Sequence, residues 1–273
     1  MTADQLALLA GTPSHRASTT TARLIVFNAQ HASPARARRQ AAWLADQLTA
    51  DLLVITEVGP GPGGDALTTA LTDHGYASVL APRPAGRDYR TVLASRSAEL
   101  TPVPSGVTVL PHRAPCATLH IGGRPITLLG LYVPSRGPQQ RRNQDKRAFQ
   151  EAVSAALPEL VANCDGPLVV AGDLNVLEPG HTPHHRIFGE WEYDFYRSFA
   201  AAGLTDAFRH LHPQAVEHSW FGRSGRYRFD HAFITAPHRE RLLSCDYLHQ
   251  PRQLGLTDHS ALALHVTCAE DHP

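Results

Sequence analysis

The feature that most constrains the fold of this chain is a short apolar run that ends in polar side chains. Residues 168–170 read Leu-Val-Val, and Gly172, Asp173 and Asn175 follow. Such runs are typical of strands covered on both faces, and ligands bind where these strands end. Asp173 and Asn175 point the same way by strand alternation, and Gly172 has no Cβ where a backbone could approach a ligand. The segment predicts a buried strand that presents a carboxylate and an amide to a ligand, or else a common Gly-Asp turn.

The same arrangement occurs at four other places, each time with polar residues at the edge of a strand-like pattern. Burying such residues without partners would be costly, so several independent accidents would be needed to place them all in this way. We therefore treat them as candidate functional residues. They are Asn28 at the end of residues 23–28, Glu57 near the end of 51–58, Asp230 within 227–235, and Asp258 and His259 directly before 260–266.

The composition indicates one enzyme domain. The 273 residues are enough for a large core, and no internal linker is recognisable. We predict a flexible N-terminal arm over residues 1–20, a single catalytic domain over 21–268 and a tail over 269–273. The four cysteines have no C-x-x-C spacing, which favours reduced thiols over a zinc site or disulfides. There is no signal-peptide pattern and no membrane-length apolar run, so we expect a cytoplasmic protein.

The order of the strand-like and helix-like patterns predicts an α/β fold of two facing mixed sheets with helices outside. A Pro/Gly loop is expected over residues 59–64. A long helix over about 139–161 should kink or end at Pro158, because proline lacks the N–H that the helix needs. After a helix near 190–202, three further strands are expected before the last one.

Six short motifs occur in an order and spacing that resemble one known family, the endonuclease/exonuclease/phosphatase superfamily. Within it, the exonuclease III and AP-endonuclease branch is the most similar. The motifs cover about residues 21–268, almost the whole chain. They are Phe27-Asn28, Thr56-Glu57, Leu131-Tyr132-Val133-Pro134, Gly172-Asp173-Leu174-Asn175, Arg228-Phe229-Asp230-His231 and Thr257-Asp258-His259.

The stretches 203–213 and 219–221 also favour the nuclease branch, while three features depart from the family pattern. Gln30 and Ser135 stand where relatives often carry a carboxylate and an asparagine, and the loop over 221–228 is short for an abasic-site enzyme. The resemblance implies a four-layer α/β sandwich, the DNase-like fold, with the site at one mouth of the sheets.

An enzyme that hydrolyses a phosphodiester must supply a cation, a base and an acid, because the anionic oxygens repel the nucleophile and the alkoxide leaves poorly. Glu57 and Asp258 offer carboxylate oxygens, and Asn28 offers an amide oxygen. This donor set suits Mg²⁺ or Mn²⁺ better than Zn²⁺. The resemblance implies that Glu57 is the central metal ligand.

Five residues are expected to carry out the reaction itself. We expect Asp173 to orient or deprotonate the attacking water, and Asn175 to hold that water or the phosphate. His259 is expected to lie against the scissile phosphate, and the resemblance implies that Asp230 fixes its ring. Tyr132 should donate a hydrogen bond to a phosphate oxygen or to the leaving group.

Substrate contacts must come from local features, because the formal net charge is zero, with 25 basic and 25 acidic side chains. The basic stretch over 223–228 lies next to Asp230 and is the best local candidate. Arg136, Trp220 and Arg228 are predicted to contact the substrate. Trp220 could stack on a base or fill an abasic pocket.

Two enzyme hypotheses follow. The first is a metal-dependent nuclease that acts on DNA as a 3′ exonuclease, an AP endonuclease or a relatively nonspecific endonuclease; the branch resemblance and residues 220–228 favour it. The alternative is a phosphatase for a small phosphorylated metabolite, which the zero net charge favours, since a fold does not fix a substrate. The sequence leaves open DNA against RNA, exonuclease against endonuclease cleavage, one metal ion against two, and the oligomeric state.

Overall fold

The computed structural model describes residues 21–47, 50–84, 86–136, 140–182, 187–222 and 225–268. The predicted arm over 1–20 and tail over 269–273 lie outside these residues. Among the described helices, none combines the length and the apolarity needed to cross a membrane.

Two six-stranded mixed sheets face each other. The first has the strand order β13-β14-β1-β2-β4-β3, and the second has the order β5-β6-β7-β8-β12-β9; strands β10 and β11 form a separate hairpin. The first sheet contains β1 (Thr21–Asn28), β2 (Leu52–Val58), β3 (Ser78–Leu80), β4 (Arg90–Ser95), β13 (Leu242–Leu248) and β14 (Ala261–Thr267). The second contains β5 (Thr101–Val103), β6 (Cys116–Ile121), β7 (Arg124–Tyr132), β8 (Leu168–Asp173), β9 (Leu204–Asp206) and β12 (Asp230–Thr235), and the hairpin strands are β10 (Trp220–Gly222) and β11 (Gly225–Tyr227).

Helices cover the outer faces, which confirms the predicted four-layer sandwich. One apolar cluster fills the space between the two sheets, a second lies between the first sheet and its helices, and a third lies between the second sheet and its helices. The helices are α1 (Pro34–Asp46), α2 (Pro62–Asp73), α3 (Gln140–Ala162), α4 (Glu190–Ala201), α5 (Ala207–Leu211) and α6 (Gln250–Gln253).

Two predictions of local structure were wrong, and one of two predicted alternatives is excluded. Helix α2 begins at Pro62, inside the predicted loop over 59–64, because proline suits the first turn of a helix. Of the two outcomes predicted for Pro158, an end of helix α3 there is excluded, because the helix continues to Ala162; its buried apolar face against the second sheet outweighs the lost backbone hydrogen bond. Five strands, β9 to β13, separate α4 from β14 instead of three, because β9, β10 and β11 have only three residues each and leave a weak sequence pattern.

Candidate active site

The polar strand ends predicted from the sequence meet at one mouth of the sandwich. Asn28 ends β1 in the first sheet, while Tyr132 and Asp173 end the parallel strands β7 and β8 in the second. Asp230 begins β12 and lies directly opposite Asp173 in the antiparallel pairing. Asn28 bridges the sheets, since its Nδ2 donates to Asp173 Oδ2 over 2.9 Å.

Asp173 is the centre of the site and is almost fully buried. Besides the Asn28 bond, its carboxylate accepts hydrogen bonds from the Asn175 backbone N–H at 2.9 Å and from Asn175 Nδ2 at 3.2 Å. Burial, followed by the nearby charge of Asp230, raises the pKa of Asp173 well above its usual value. A carboxyl with a raised pKa is suited to accept a proton at neutral pH.

His259 and Asp230 form a buried pair beside Asp173. His259 Nδ1 lies 2.7 Å from Asp230 Oδ2, and Asp230 is fixed by its backbone N–H, which donates to Ser219 Oγ at 3.0 Å. Burial alone would lower the pKa of His259, but the charge and hydrogen bond of Asp230 raise it to about 10. The ring is therefore a cation at neutral pH, and its Nε2 is 3.4 Å from Asn28 Nδ2, on the side that faces the site.

The three predicted metal ligands differ in which of their side-chain oxygens already accept a hydrogen bond. Glu57 Oε1 accepts a 2.8 Å hydrogen bond from the Tyr132 hydroxyl. Asp258 Oδ2 accepts from Trp220 Nε1 at 2.9 Å, whereas its Oδ1 is buried and has no hydrogen-bond partner among the described residues. The Asn28 oxygen accepts from the Gln30 N–H at 2.8 Å, which uses one of its two lone pairs, and its amide nitrogen restrains Asp173, so its part in metal binding stays a prediction.

Backbone strain is concentrated at this mouth. Among the described residues other than glycine, five have a left-handed φ, and four of these lie at the site: Gln30, His31, Glu57 and Asn175. Strain of this kind persists where the surrounding structure fixes a functional conformation. The sequence predicts that Gly172 lacks a Cβ so that the backbone can approach a ligand, but the structure gives a different reason. Its φ is +150°, and a Cβ there would lie 1.9 Å from the Leu131 carbonyl oxygen of the neighbouring strand.

Arg228 requires a correction. The sequence predicts that it contacts the substrate, but its side chain is fully buried and its NH2 pairs with Glu178 at 2.6 Å and with Asp206 at 2.9 Å. The reason is geometric, because β12 begins only at Asp230, so strand alternation does not extend back to residue 228. Arg228 therefore stabilises the protein behind the site.

The other two predicted substrate contacts lie nearer to solvent. Trp220 is partly exposed, forms a bridge with His259 and stacks on Tyr227 with ring centroids 5.4 Å apart. Arg136 NH1 donates to Glu192 Oε2 at 2.9 Å, and its side chain is 35% exposed. Their contact with substrate stays a prediction.

One cluster at the site was not found from the sequence. The Arg113 guanidinium lies 4.5 Å from the centre of the Tyr132 ring and is paired with both oxygens of Asp88. Tyr89 packs its ring edge against Tyr132. The residues 86–90, Gly-Arg-Asp-Tyr-Arg, offer a polar and aromatic loop as a signal, but no spacing connects them to Arg113.

Comparison with known sequences places the chain in a family. The sequence pattern described as the Endonuclease/Exonuclease/phosphatase family matches residues 25–259. An exodeoxyribonuclease of Streptococcus pneumoniae is 25% identical over 158 residues, which are 52% of this chain and 55% of that protein. The chain thus spans about half the length of the curated relatives it matches.

Solved structures show the same fold. An AP endonuclease from Archaeoglobus fulgidus has a TM-score of 0.72 and 21% identity, over 91% of this chain and 100% of that one. The 3′-5′ exonuclease NExo from Neisseria meningitidis has a TM-score of 0.72 and 19% identity, over 89% of this chain and 98% of that one. A NExo variant described as a 3′ phosphatase and bound to product DNA hairpin gives the same values.

Proposed function

The chain belongs to the endonuclease/exonuclease/phosphatase family, a family of phosphate-ester hydrolases, and we propose that it is a divalent-metal-dependent nuclease that hydrolyses DNA phosphodiesters. The observation that carries this proposal is the convergence of Asp173 with the buried Asp230–His259 pair. Their side-chain ligand atoms lie within 4.8 Å of one another, so a base and a cation can act on the same phosphate.

The mechanism assigns one task to each group. Asp173, held by Asn28 and Asn175, takes a proton from the attacking water. The cationic ring of His259, oriented by Asp230, stabilises the charge that develops on the phosphate oxygens. Tyr132, whose hydroxyl donates to Glu57 Oε1 in the free protein, would donate a hydrogen bond to a phosphate oxygen or to the leaving oxygen when substrate is bound. Burial, followed by the charge of Glu57, raises the pKa of Tyr132 well above its usual value, so the phenol keeps this proton at neutral pH.

The residues present fit a hard divalent cation such as Mg²⁺ or Mn²⁺. Glu57 and Asp258 provide oxygen donors, and the buried Asp258 Oδ1 has no hydrogen-bond partner among the described residues, which is the position a cation would satisfy. A bound cation would neutralise the phosphate charge and stabilise the leaving alkoxide.

DNA is proposed as the substrate on three grounds. The exodeoxyribonuclease relative and the similar structures, one of them with product DNA, are described as acting on DNA. Trp220 offers an aromatic face at the mouth, and Arg136 offers a partly exposed cation there. The alternative is a phosphatase acting on a small phosphorylated metabolite, which the zero net charge of this chain favours.

The test is cleavage of matched substrates with Mg²⁺ or Mn²⁺ and with an EDTA control. The set contains duplex DNA, the same duplex with one abasic site, the duplex with a 3′ phosphate, and small phosphomonoesters. We expect DNA to be cut with either metal and to stay intact with EDTA. Phosphate release from small monoesters while all DNA stays intact would reject the nuclease proposal.

Replacement of Tyr132 by phenylalanine should lower kcat by about 10- to 100-fold, because it removes one proton donor of the transition state and leaves the ring in place. Single-turnover kinetics on duplex DNA would measure this. The control is Tyr76→Phe, since Tyr76 lies in the apolar cluster between the first sheet and its helices, where its hydroxyl donates to the Leu44 carbonyl oxygen. An unchanged single-turnover rate in Tyr132→Phe would remove Tyr132 from the mechanism.

Salt dependence separates the two enzyme hypotheses. A nuclease that holds the DNA backbone through cations releases counterions on binding, so log(kcat/KM) should fall with log[salt] with a slope of about −0.9 for each phosphate contacted. Cleavage measured over a salt series would give this slope. A slope near zero on the preferred substrate would favour a small phosphorylated molecule.

A further inference from the structure

Lys146 is the only lysine of the chain; every other residue among the 25 Lys and Arg is an arginine. It lies on α3, is fully buried, and has no place in the mechanism above. Burying a cation is costly even when it is paired. An ammonium group is a compact point donor, whereas a guanidinium is a wide planar fork, so the two are not interchangeable in a buried space.

The ammonium group has two partners. Lys146 Nζ donates to the Asn175 carbonyl oxygen at 2.7 Å and to Glu192 Oε1 at 2.5 Å. Asn175 in turn has a left-handed φ of +50 and donates two hydrogen bonds to the Asp173 carboxylate. Lys146 therefore holds, from behind, the strained turn that orients the proposed base.

Glu192 fixes Lys146 in this position. Its other oxygen, Oε2, accepts hydrogen bonds from the Gly189 N–H and from Arg136 NH1, both at 2.9 Å. The buried pair thus connects helices α3 and α4 with the end of β8. Arg136 extends the chain of contacts to the mouth of the site.

We propose that Lys146 is a positioning residue for the hydrolysis: its ammonium group holds the Asn175 carbonyl and so keeps the Asp173–Asn175 turn in the geometry that water attack needs. The inference rests on the proposed function. Small displacements of a reacting group are expensive, and a shift of about 1 Å can cost about 100-fold in rate.

Two variants separate this role from simple stabilisation. Glu192→Gln and the double variant Lys146→Met/Glu192→Gln both lack the ion pair, but only the first keeps the donor to Asn175. We expect kcat to fall by about 10- to 100-fold from the first to the second, with KM changed by less than about twofold, because substrate binding is not altered. Thermal unfolding of both variants shows whether the protein is folded at the assay temperature.

A second measurement does not depend on activity. Because the chain has one lysine, ¹⁵N-lysine labelling gives a single Nζ signal, whose coupling through the hydrogen bond to the ¹³C-labelled Asn175 carbonyl reports the contact directly. We expect this coupling in the wild type and in Glu192→Gln, and we expect the Asn175 amide signals to shift when Lys146 is replaced.

Equal kcat in the two variants, or unshifted Asn175 signals in the double variant, would overturn the proposal. If instead the wild type hydrolyses no phosphate ester, the proposed function fails, and the NMR comparison alone decides whether Lys146 holds the turn.

Discussion

Replacement of Asp173 by asparagine should lower kcat for DNA hydrolysis by about 10²- to 10⁴-fold, the range expected when a general base is removed. The amide keeps the shape of the carboxylate but cannot take a proton from water. The measurement is single-turnover cleavage of duplex DNA with Mg²⁺ or Mn²⁺, with the active fraction determined by substrate binding.

The same variant should be nearly as stable as the wild type at neutral pH. Because the pKa of Asp173 is raised in the folded state, its ionised form costs stability above the ordinary aspartate pKa of about 4, and asparagine removes this cost. Asparagine also replaces one of the two oxygens that accept hydrogen bonds from Asn28 and Asn175, and this loss offsets the gain, so thermal unfolding at pH 7 should give a Tm close to that of the wild type. A large loss of activity without loss of stability is the expected signature of a catalytic carboxylate.

A matched control is Asp165→Asn, because Asp165 is exposed just before β8, at the end of the strand opposite to Asp173. This variant should retain both the rate and the Tm of the wild type. If Asp173→Asn cuts DNA at the wild-type rate, the carboxylate is not the base and the mechanism is wrong.

The polar residues at the strand ends could be predicted from sequence because side-chain alternation and burial along a strand determine where it ends. Asn28, Tyr132 and Asp173 each follow a run of apolar residues that is either alternating or continuous, and such runs predict strands. Parallel strands bring their ends to the same edge of a sheet. The resemblance supplied the pairing of His259 with Asp230, which the structure places 2.7 Å apart.

The rest of the site depends on contacts that leave no local pattern. Asp88 and Arg113 are 25 residues apart and meet in loops, where no periodicity indicates which side chain faces which. Lys146 and Glu192 lie on separate helices and meet only because both helices pack on the second sheet. Sequence patterns report burial and alternation, whereas these ion pairs depend on the final tertiary arrangement.

Arg228 is the residue for which sequence and structure disagree most, and its replacement by methionine should cost about 3–5 kcal/mol of unfolding free energy. The change leaves Glu178 and Asp206 buried with one cationic partner fewer. Urea unfolding at pH 7 would measure this loss. Arg209→Met is the control, because Arg209 also pairs with Glu178 but is partly exposed, and its loss should cost less.

The pH dependence gives a second test of the same pair. Burial alone would raise the pKa of Asp206, but the charge of Arg228 and the nearby His231 ring, whose Nδ1 lies 3.6 Å from Asp206 Oδ2, hold it well below its usual value. A carboxylate with a lowered folded pKa stabilises the protein above its unfolded pKa of about 4, and this contribution is lost as the pH falls further. The stability difference between wild type and Arg228→Met should therefore be largest near neutral pH and shrink in acid. If the variant instead keeps wild-type stability and raises KM for DNA, Arg228 contacts the substrate, as the sequence alone suggested.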